Sequence, residues 1–233
     1  MPKKSRGGRR AAATTPQYQP SSSGAPGVLF TYFSDDDAKQ LRDDTDDRYT
    51  PSVLDAIKQY ISKAVDAQGY SMSQVLNNKL NNGLKLNANE KYMDKFLQEG
   101  MHDIGKDITL YRGAHEDFIQ RLGIKNYEKM TESQLKKALV GAQYSTPSFT
   151  SASYDKNKNP FYTGMNAGGR EIEMVIKAPK STKVVLGAKS QAEMIINKGT
   201  KYKVTDVKYT GRTATPRNVG SKKVLQVEVE VIG

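Results

Sequence analysis

A chain of 233 residues with 36 Lys and Arg against 25 Asp and Glu carries a formal charge of +11 and is long enough to bury a core of its own. It has no cysteine and two histidines, His102 and His115, which excludes disulfides and thiolate metal sites, so no structural metal is expected. No apolar run is long enough for a membrane-spanning helix, and the basic N-terminus lacks the apolar core of a signal peptide, because Ala11-Ala12-Ala13 gives way to Thr14-Thr15-Pro16.

Residues 1–27 combine Gly, Ser, Pro, Ala and basic side chains with scarcely a large apolar group, a composition that does not offset the entropy of ordering and predicts a disordered tail. Lys3, Lys4, Arg6, Arg9 and Arg10 concentrate charge there, since no acidic residue precedes Asp35. The tail reads either as an electrostatic arm for nucleic acid or a membrane surface, or as a solubilising leader.

Residues 28–233 are read as one domain, helical over 35–105 and β-rich over 107–232. Ser34 before Asp35-Asp36-Asp37 predicts a capped helix start, with acids at the positive end of the dipole. Asp43, Asp44, Asp46 and Asp47 lack the glycine and closing glutamate of a calcium loop and read as a solvated face. Leu54, Ile57, Tyr60, Ile61 and Ala64 recur at helical spacing, and a second amphipathic stretch carries Val75, Leu76 and Leu80.

Beyond Asp107 short β-type runs follow, at 108–112, 172–176, 183–186, 193–196, 201–204 and 224–231. From Leu225 the last run alternates apolar and polar, as a strand buried on one face does. Helices first and strands later predict an α+β fold with segregated elements, not a parallel βαβ sheet.

Three short segments carry chemistry. In Leu110-Tyr111-Arg112-Gly113 a strand-end arginine offers a bidentate fork for phosphate that lysine does not reproduce. In Phe149-Thr150-Ser151-Ala152-Ser153 the two serine hydroxyls are placed to orient a carboxylate or a ribose hydroxyl. In Gln191-Ala192-Glu193 a glutamate at a strand start is suited to accept a sugar hydroxyl and stabilise a cationic sugar transition state. Taken singly, each has an ordinary reading as a surface ion pair or a strand residue; in this order they describe a site for a phosphate-bearing glycoside.

These motifs resemble those of the mono-ADP-ribosyltransferases of the arginine-serine-glutamate class, the clostridial exoenzyme-like family, whose aromatic-Arg, Phe-x-Ser-Thr-Ser and (Glu/Gln)-x-Glu motifs they match in order. The turn Asn197-Lys198-Gly199-Thr200 and the helical stretch Leu76 to Gly83 extend the resemblance, which spans roughly residues 52–232. It implies N-terminal helices packed on a mainly antiparallel β core of two sheets. It implies NAD as co-substrate, with no metal, held by Arg112, Tyr111, Gly113, Ser151, Ser153 and Phe161. The catalytic set becomes Glu193, which would stabilise the oxocarbenium, Ser151, which would position it, and Gln191, which would face the acceptor; the ring of Tyr111 taken alone reads as core packing. The segment Tyr154–Gly169 corresponds to the part of the family's site near the phosphates and nicotinamide, and Gly164, Gly168 and Gly169 suit it to act as a lid. Ala152 stands where the family has threonine, and the turn before Gln191 has no aromatic.

Relatives with glutamate at the position of Gln191 modify arginine. A neutral glutamine offers a donor and an acceptor and suits asparagine, glutamine or a nucleobase better. The acceptor is thus expected to be a protein or nucleic acid of a host or target cell, the latter favoured modestly by the charge. A monomer acting in the cytoplasm, delivered by a virion or a secretion machine, is expected. Two other readings stay open: an NAD glycohydrolase with water as acceptor, and a non-enzymatic nucleic-acid-binding or virion-associated protein on a degenerate fold.

Overall fold

Ser34 caps the first helix as its sequence predicts: the Asp37 amide donates to Ser34 Oγ at 3.0 Å, and the Ser34 amide donates back to Asp37 Oδ2 at 2.8 Å. The computed structural model describes residues 29–46, 48–159, 170–214 and 221–233, so the tail assigned to residues 1–27 lies outside the described residues. Helices α1 (Asp35–Asp46), α2 (Pro51–Ile61), α3 (Met72–Asn81) and α4 (Ala88–Glu99) fill the region read as helical. Thr50 caps α2 ahead of Pro51, and reciprocal capping boxes start α3 at Ser71/Gln74 and α4 at Asn87/Glu90.

The buried stripe of α2 differs from the expected one by a fraction of a turn. Val53, Ala56, Ile57 and Tyr60 face inward, while Leu54 is 37% exposed and Ala64 lies beyond the helix end. The observed set follows i, i+3, i+4, i+7 spacing, which buries more area on one side than a stripe that includes Leu54.

Among the described residues nine strands follow: β1 (His102–Asp103), β2 (Ile108–Ala114), β3 (Gln143–Ser145), β4 (Thr150–Ser153), β5 (Ile172–Ala178), β6 (Lys183–Leu186), β7 (Glu193–Ile196), β8 (Lys201–Ala214) and β9 (Lys222–Val231). Two helices interrupt them, α5 (Asp117–Arg121) and α6 (Glu132–Leu139), so the segregation of helices and strands is less complete than expected. The strands lie in the order β1-β6-β7-β4-β2-β5-β9-β8-β3. Every pairing is antiparallel except that of β5 with β9.

The expectation of two sheets is corrected, because the strands form one continuous nine-stranded sheet. The physical reason is a narrow junction: β2 and β4 meet through the single pair Tyr111↔Ser153, which joins a β1-β6-β7-β4 half to a β2-β5-β9-β8-β3 half. One large core cluster draws from both halves, including Val184, Met194 and Ile196 from the first and Leu110, Ile176, Val227 and Val229 from the second. A second cluster joins Val53, Tyr60, Leu76, Met93 and Leu97 of the helices to Phe149, Val185 and Ile195. The first half is therefore covered by side chains on both faces.

Candidate active site

The antiparallel pairing of β4 with β7 sets Ser153 opposite Glu193 and Ser151 opposite Ile195. Residues directly opposite on paired strands share a face, and so do residues two apart. Ser151, Ser153, Glu193 and Ile195 thus lie on the face covered by α2–α4, where Ile195 packs into the helical cluster. Ala152 alternates to the other side and its methyl joins the larger cluster. Its departure from the family's threonine falls on the core side of the strand.

Between this face and the helices is a cavity of about 350 Å³ whose walls include Arg112, Ser151, Gln191 and Glu193, with Tyr60 and Asn77 from α2 and α3. The carboxylate of Glu193 accepts the Ala188 amide at 3.0 Å on Oε2. Gln191 ends a 3-10 turn, Lys189–Gln191, and Ala192 follows in the left-handed region at φ 48°, a conformation that turns the chain sharply between the two polar side chains. Arg112 donates through Nη1 to the Ser151 carbonyl at 2.7 Å, which fixes its guanidinium against β4.

Arg112 and Gly113 also wall a second cavity of about 390 Å³, floored by Tyr144, Tyr202, Phe118 and Met174. Arg170 borders both cavities. The residue is exposed along its length, yet its guanidinium reaches the Gly113 carbonyl at 3.2 Å. Loss of water there, and then the charge of Arg112, lower its pKa. Two cations on one shared wall form a ready anion site, since an anion relieves their mutual repulsion. In the second cavity the rings of Tyr144 and Tyr202 stack at 5.1 Å, and burial pushes both hydroxyls up.

Of the site residues expected from the sequence, Arg112, Gly113, Ser151, Ser153, Gln191 and Glu193 line one cavity. The hydroxyl of Ser153 is committed to the main chain: it shares its proton between the Asp155 carbonyl at 2.7 Å and the Gln191 carbonyl at 2.8 Å. Tyr111 lines neither cavity. Its half-buried ring lies 5.8 Å from Lys156 Nζ. Arg112 lies within β2, two residues before its end, rather than closing the strand. Phe161, Pro160, Gly164, Gly168 and Gly169 lie outside the described residues. As far as Asn159 the segment read as a lid is tied down: Lys158 pairs with Asp35 at 2.6 Å, and Asn159 Nδ2 donates to the Tyr111 carbonyl at 2.8 Å.

Sequence reading missed several lining residues, among them Tyr60, Asn77 and Arg170. Tyr60 was assigned only to the core by its spacing; its ring is buried against Phe149, while its hydroxyl accepts Asn77 Nδ2 at 2.8 Å. Burial is the main cause that raises the pKa of Tyr60, and the charge of Glu193 adds to it. Asn77 carried a weak signal, as a polar residue next to the buried Leu76 of α3. Arg170 had no motif to mark it. Among the described residues no group of His, Asp and Glu is placed to hold a metal, and no helix is long and apolar enough to cross a membrane.

A family profile described as ADP-ribosyltransferase exoenzyme matches residues 33–231. Among solved structures, the fold is similar to an ADP-ribosyltransferase toxin from Paenibacillus larvae, at 15% identity and a TM-score of 0.64 over 88% of this chain and 100% of that one. It is similar to the C3 exoenzyme of Clostridium limosum at 18% identity and a TM-score of 0.59, over 88% and 98% of the two chains. A C3 protein from S. aureus, solved with NAD, aligns at 18% identity and a TM-score of 0.58 over 88% of this chain and 98% of its own. No curated protein matches the chain. At these identities the structural likeness is one of fold, and the profile match over most of the chain supplies the family: the chain belongs to the ADP-ribosyltransferase exoenzymes and is an NAD-dependent mono-ADP-ribosyltransferase.

Proposed function

We propose that the chain is a member of the arginine-serine-glutamate class that cleaves NAD at the nicotinamide–ribose bond in the cavity of Arg112, Ser151 and Glu193. ADP-ribose would pass to an amide side chain or a nucleobase and not to arginine. The observation that carries this reading is the meeting of Arg112, Ser151 and the Gln191-Ala192-Glu193 triplet, three segments far apart in sequence, on the walls of one cavity. Arg112 and Arg170 are placed to grip the two phosphates, as a pair of guanidinium forks does well. Ser151 supports the ribose next to nicotinamide. Glu193 accepts a ribose hydroxyl and stabilises the positive charge that develops at the anomeric carbon. Nicotinamide departs with the electron pair of the broken C–N bond and becomes neutral.

Gln191 supports the acceptor assignment. Its side chain carries no charge to attract a guanidinium or remove its proton, whereas its donor and acceptor match an amide or a base edge. The acceptor nitrogen forms the new bond to the anomeric carbon and loses a proton to solvent or to Glu193.

The test is incubation of the full chain with NAD labelled in the adenylate, in a cell lysate treated or not with nuclease. Label on protein that survives nuclease assigns an amide acceptor, and label removed by nuclease assigns a nucleobase. Label that stays on free ADP-ribose assigns water and overturns the transfer reading. Glu193→Ala is expected to lower nicotinamide release by about 1,000-fold, and parental rates in that variant would overturn the role of Glu193.

A further inference from the structure

The turn that carries Gln191 is closed on itself by the main chain of Glu193. The Gly187 amide donates to the Glu193 carbonyl at 2.9 Å, the Glu193 amide to the Ala188 carbonyl at 3.2 Å, and the Gln191 amide to the Ala188 carbonyl at 3.1 Å. The Glu193 side chain folds back over the same turn, where Oε2 accepts the Ala188 amide at 3.0 Å. That approach requires a glycine at 187. A Cβ there would stand 2.5 Å from Glu193 Oε2 and 2.8 Å from both Cδ and Cγ. Gly187 has no positive φ, so the demand is one of space and not of backbone conformation. From the opposite side Arg42 of α1 reaches the Gly187 carbonyl through Nη2 at 3.2 Å.

We infer that Arg42 and Gly187 form a brace that sets the carboxylate of the catalytic glutamate. Neither lines the cavity of Arg112, Ser151 and Glu193, so both are positioning residues. Arg42 fixes the peptide of Gly187 from α1, and the bare α-carbon of Gly187 lets the carboxylate settle on the next amide. One oxygen, Oε2, is thereby engaged by Ala188, and among the described residues Oε1 makes no protein hydrogen bond, which suits it to a ribose hydroxyl. The brace links α1, at the start of the domain, to the acceptor turn across 145 positions of sequence. It rests on the reading of Glu193 as the group that stabilises the sugar cation.

The consequence is a loss of turnover without a loss of binding. The phosphates are held elsewhere, by Arg112 and Arg170, so a carboxylate displaced by an added Cβ leaves KM for NAD close to parental while kcat falls. A displacement of about 1 Å at a reacting group lowers rates by about 100-fold. The experiment measures nicotinamide release by the full chain as kcat and KM, with thermal melts alongside, for Gly187→Ala, Arg42→Ala and Glu193→Gln. Expected are a fall of about 100-fold in kcat for Gly187→Ala and about tenfold for Arg42→Ala, the latter from loss of one charge-assisted hydrogen bond. In both, KM stays within about twofold, the sign of an interaction used in the transition state alone.

Parental kcat in Gly187→Ala and Arg42→Ala, with Glu193→Gln inactive, would overturn the brace and leave the role of Glu193 intact. Parental kcat in Glu193→Gln would overturn the role of Glu193 itself. If Gly187→Ala fails to fold, Arg42→Ala decides, because it removes the clamp without adding an atom to the turn. A rise in KM equal to the fall in kcat/KM, with kcat unchanged, would overturn the brace in favour of a role in binding.

Discussion

Strands β7 and β9 have similar apolar character and opposite surroundings. In β7 Met194 and Ile196 enter the large core cluster and Ile195 enters the helical one, so three consecutive side chains are fully buried on two faces. In β9 Val227, Val229 and Val231 face inward while Gln226, Glu228 and Glu230 stay half exposed. The strand clamped on both faces is the one that presents Glu193, and the strand free on one face carries no residue of either cavity. The carboxylate proposed to react must hold its place to a fraction of an ångström, and close packing on both faces of its strand favours that rigidity.

The sharpest way to break the comparison is to remove the same kind of mass from each strand. Ile195→Ala opens a cavity between β7 and the helices and is expected to destabilise the protein by about 3 kcal/mol, read as a lower denaturation midpoint. A change below about 1 kcal/mol would mean that the helices do not clamp β7. A smaller effect is expected from Ser153→Ala. It leaves the Gln191 carbonyl without its partner and should cost about 1–2 kcal/mol, with protection of the Gln191 turn from hydrogen exchange reduced more than that of β9. Smallest of all, Glu228→Ala on the solvated face of β9 is expected to change stability by no more than about 0.5 kcal/mol; a loss as large as that of Ile195→Ala would erase the distinction between the two strands.

Much of this was legible in the residues. The strict alternation after Leu225 predicts one buried face, and the run 193–196 predicts a strand. The capping signature Ser34-Asp37 predicts the start of α1. Thr131-Glu132-Ser133-Gln134 is a signature of the same kind and marks α6, but it lies in the region, 107–232, read as β-rich. The long course of β8 was under-read for a related reason: its C-terminal part, from Asp206, departs from regular alternation, and register shifts break its ladder with β9.

The site divides in the same way. Arg112, Ser151, Gln191 and Glu193, the residues proposed to carry the reaction, belong to short motifs whose residue types suit one chemistry, and the sequence by itself determined the family and the mixed α+β class. Tertiary structure alone decided that the sheet is continuous through one residue pair, that Tyr111 lines neither cavity while Tyr60 and Asn77 line one, and that Arg170 joins Arg112 on a shared wall. It also decided that Ser153 serves the main chain and that the Glu193 side chain folds over the bare α-carbon of Gly187. The reason is physical: residue type and spacing fix what a side chain is able to do and which face of its own element it occupies. Which groups from distant elements arrive within hydrogen-bond reach of it depends on how those elements pack, and no local pattern encodes that.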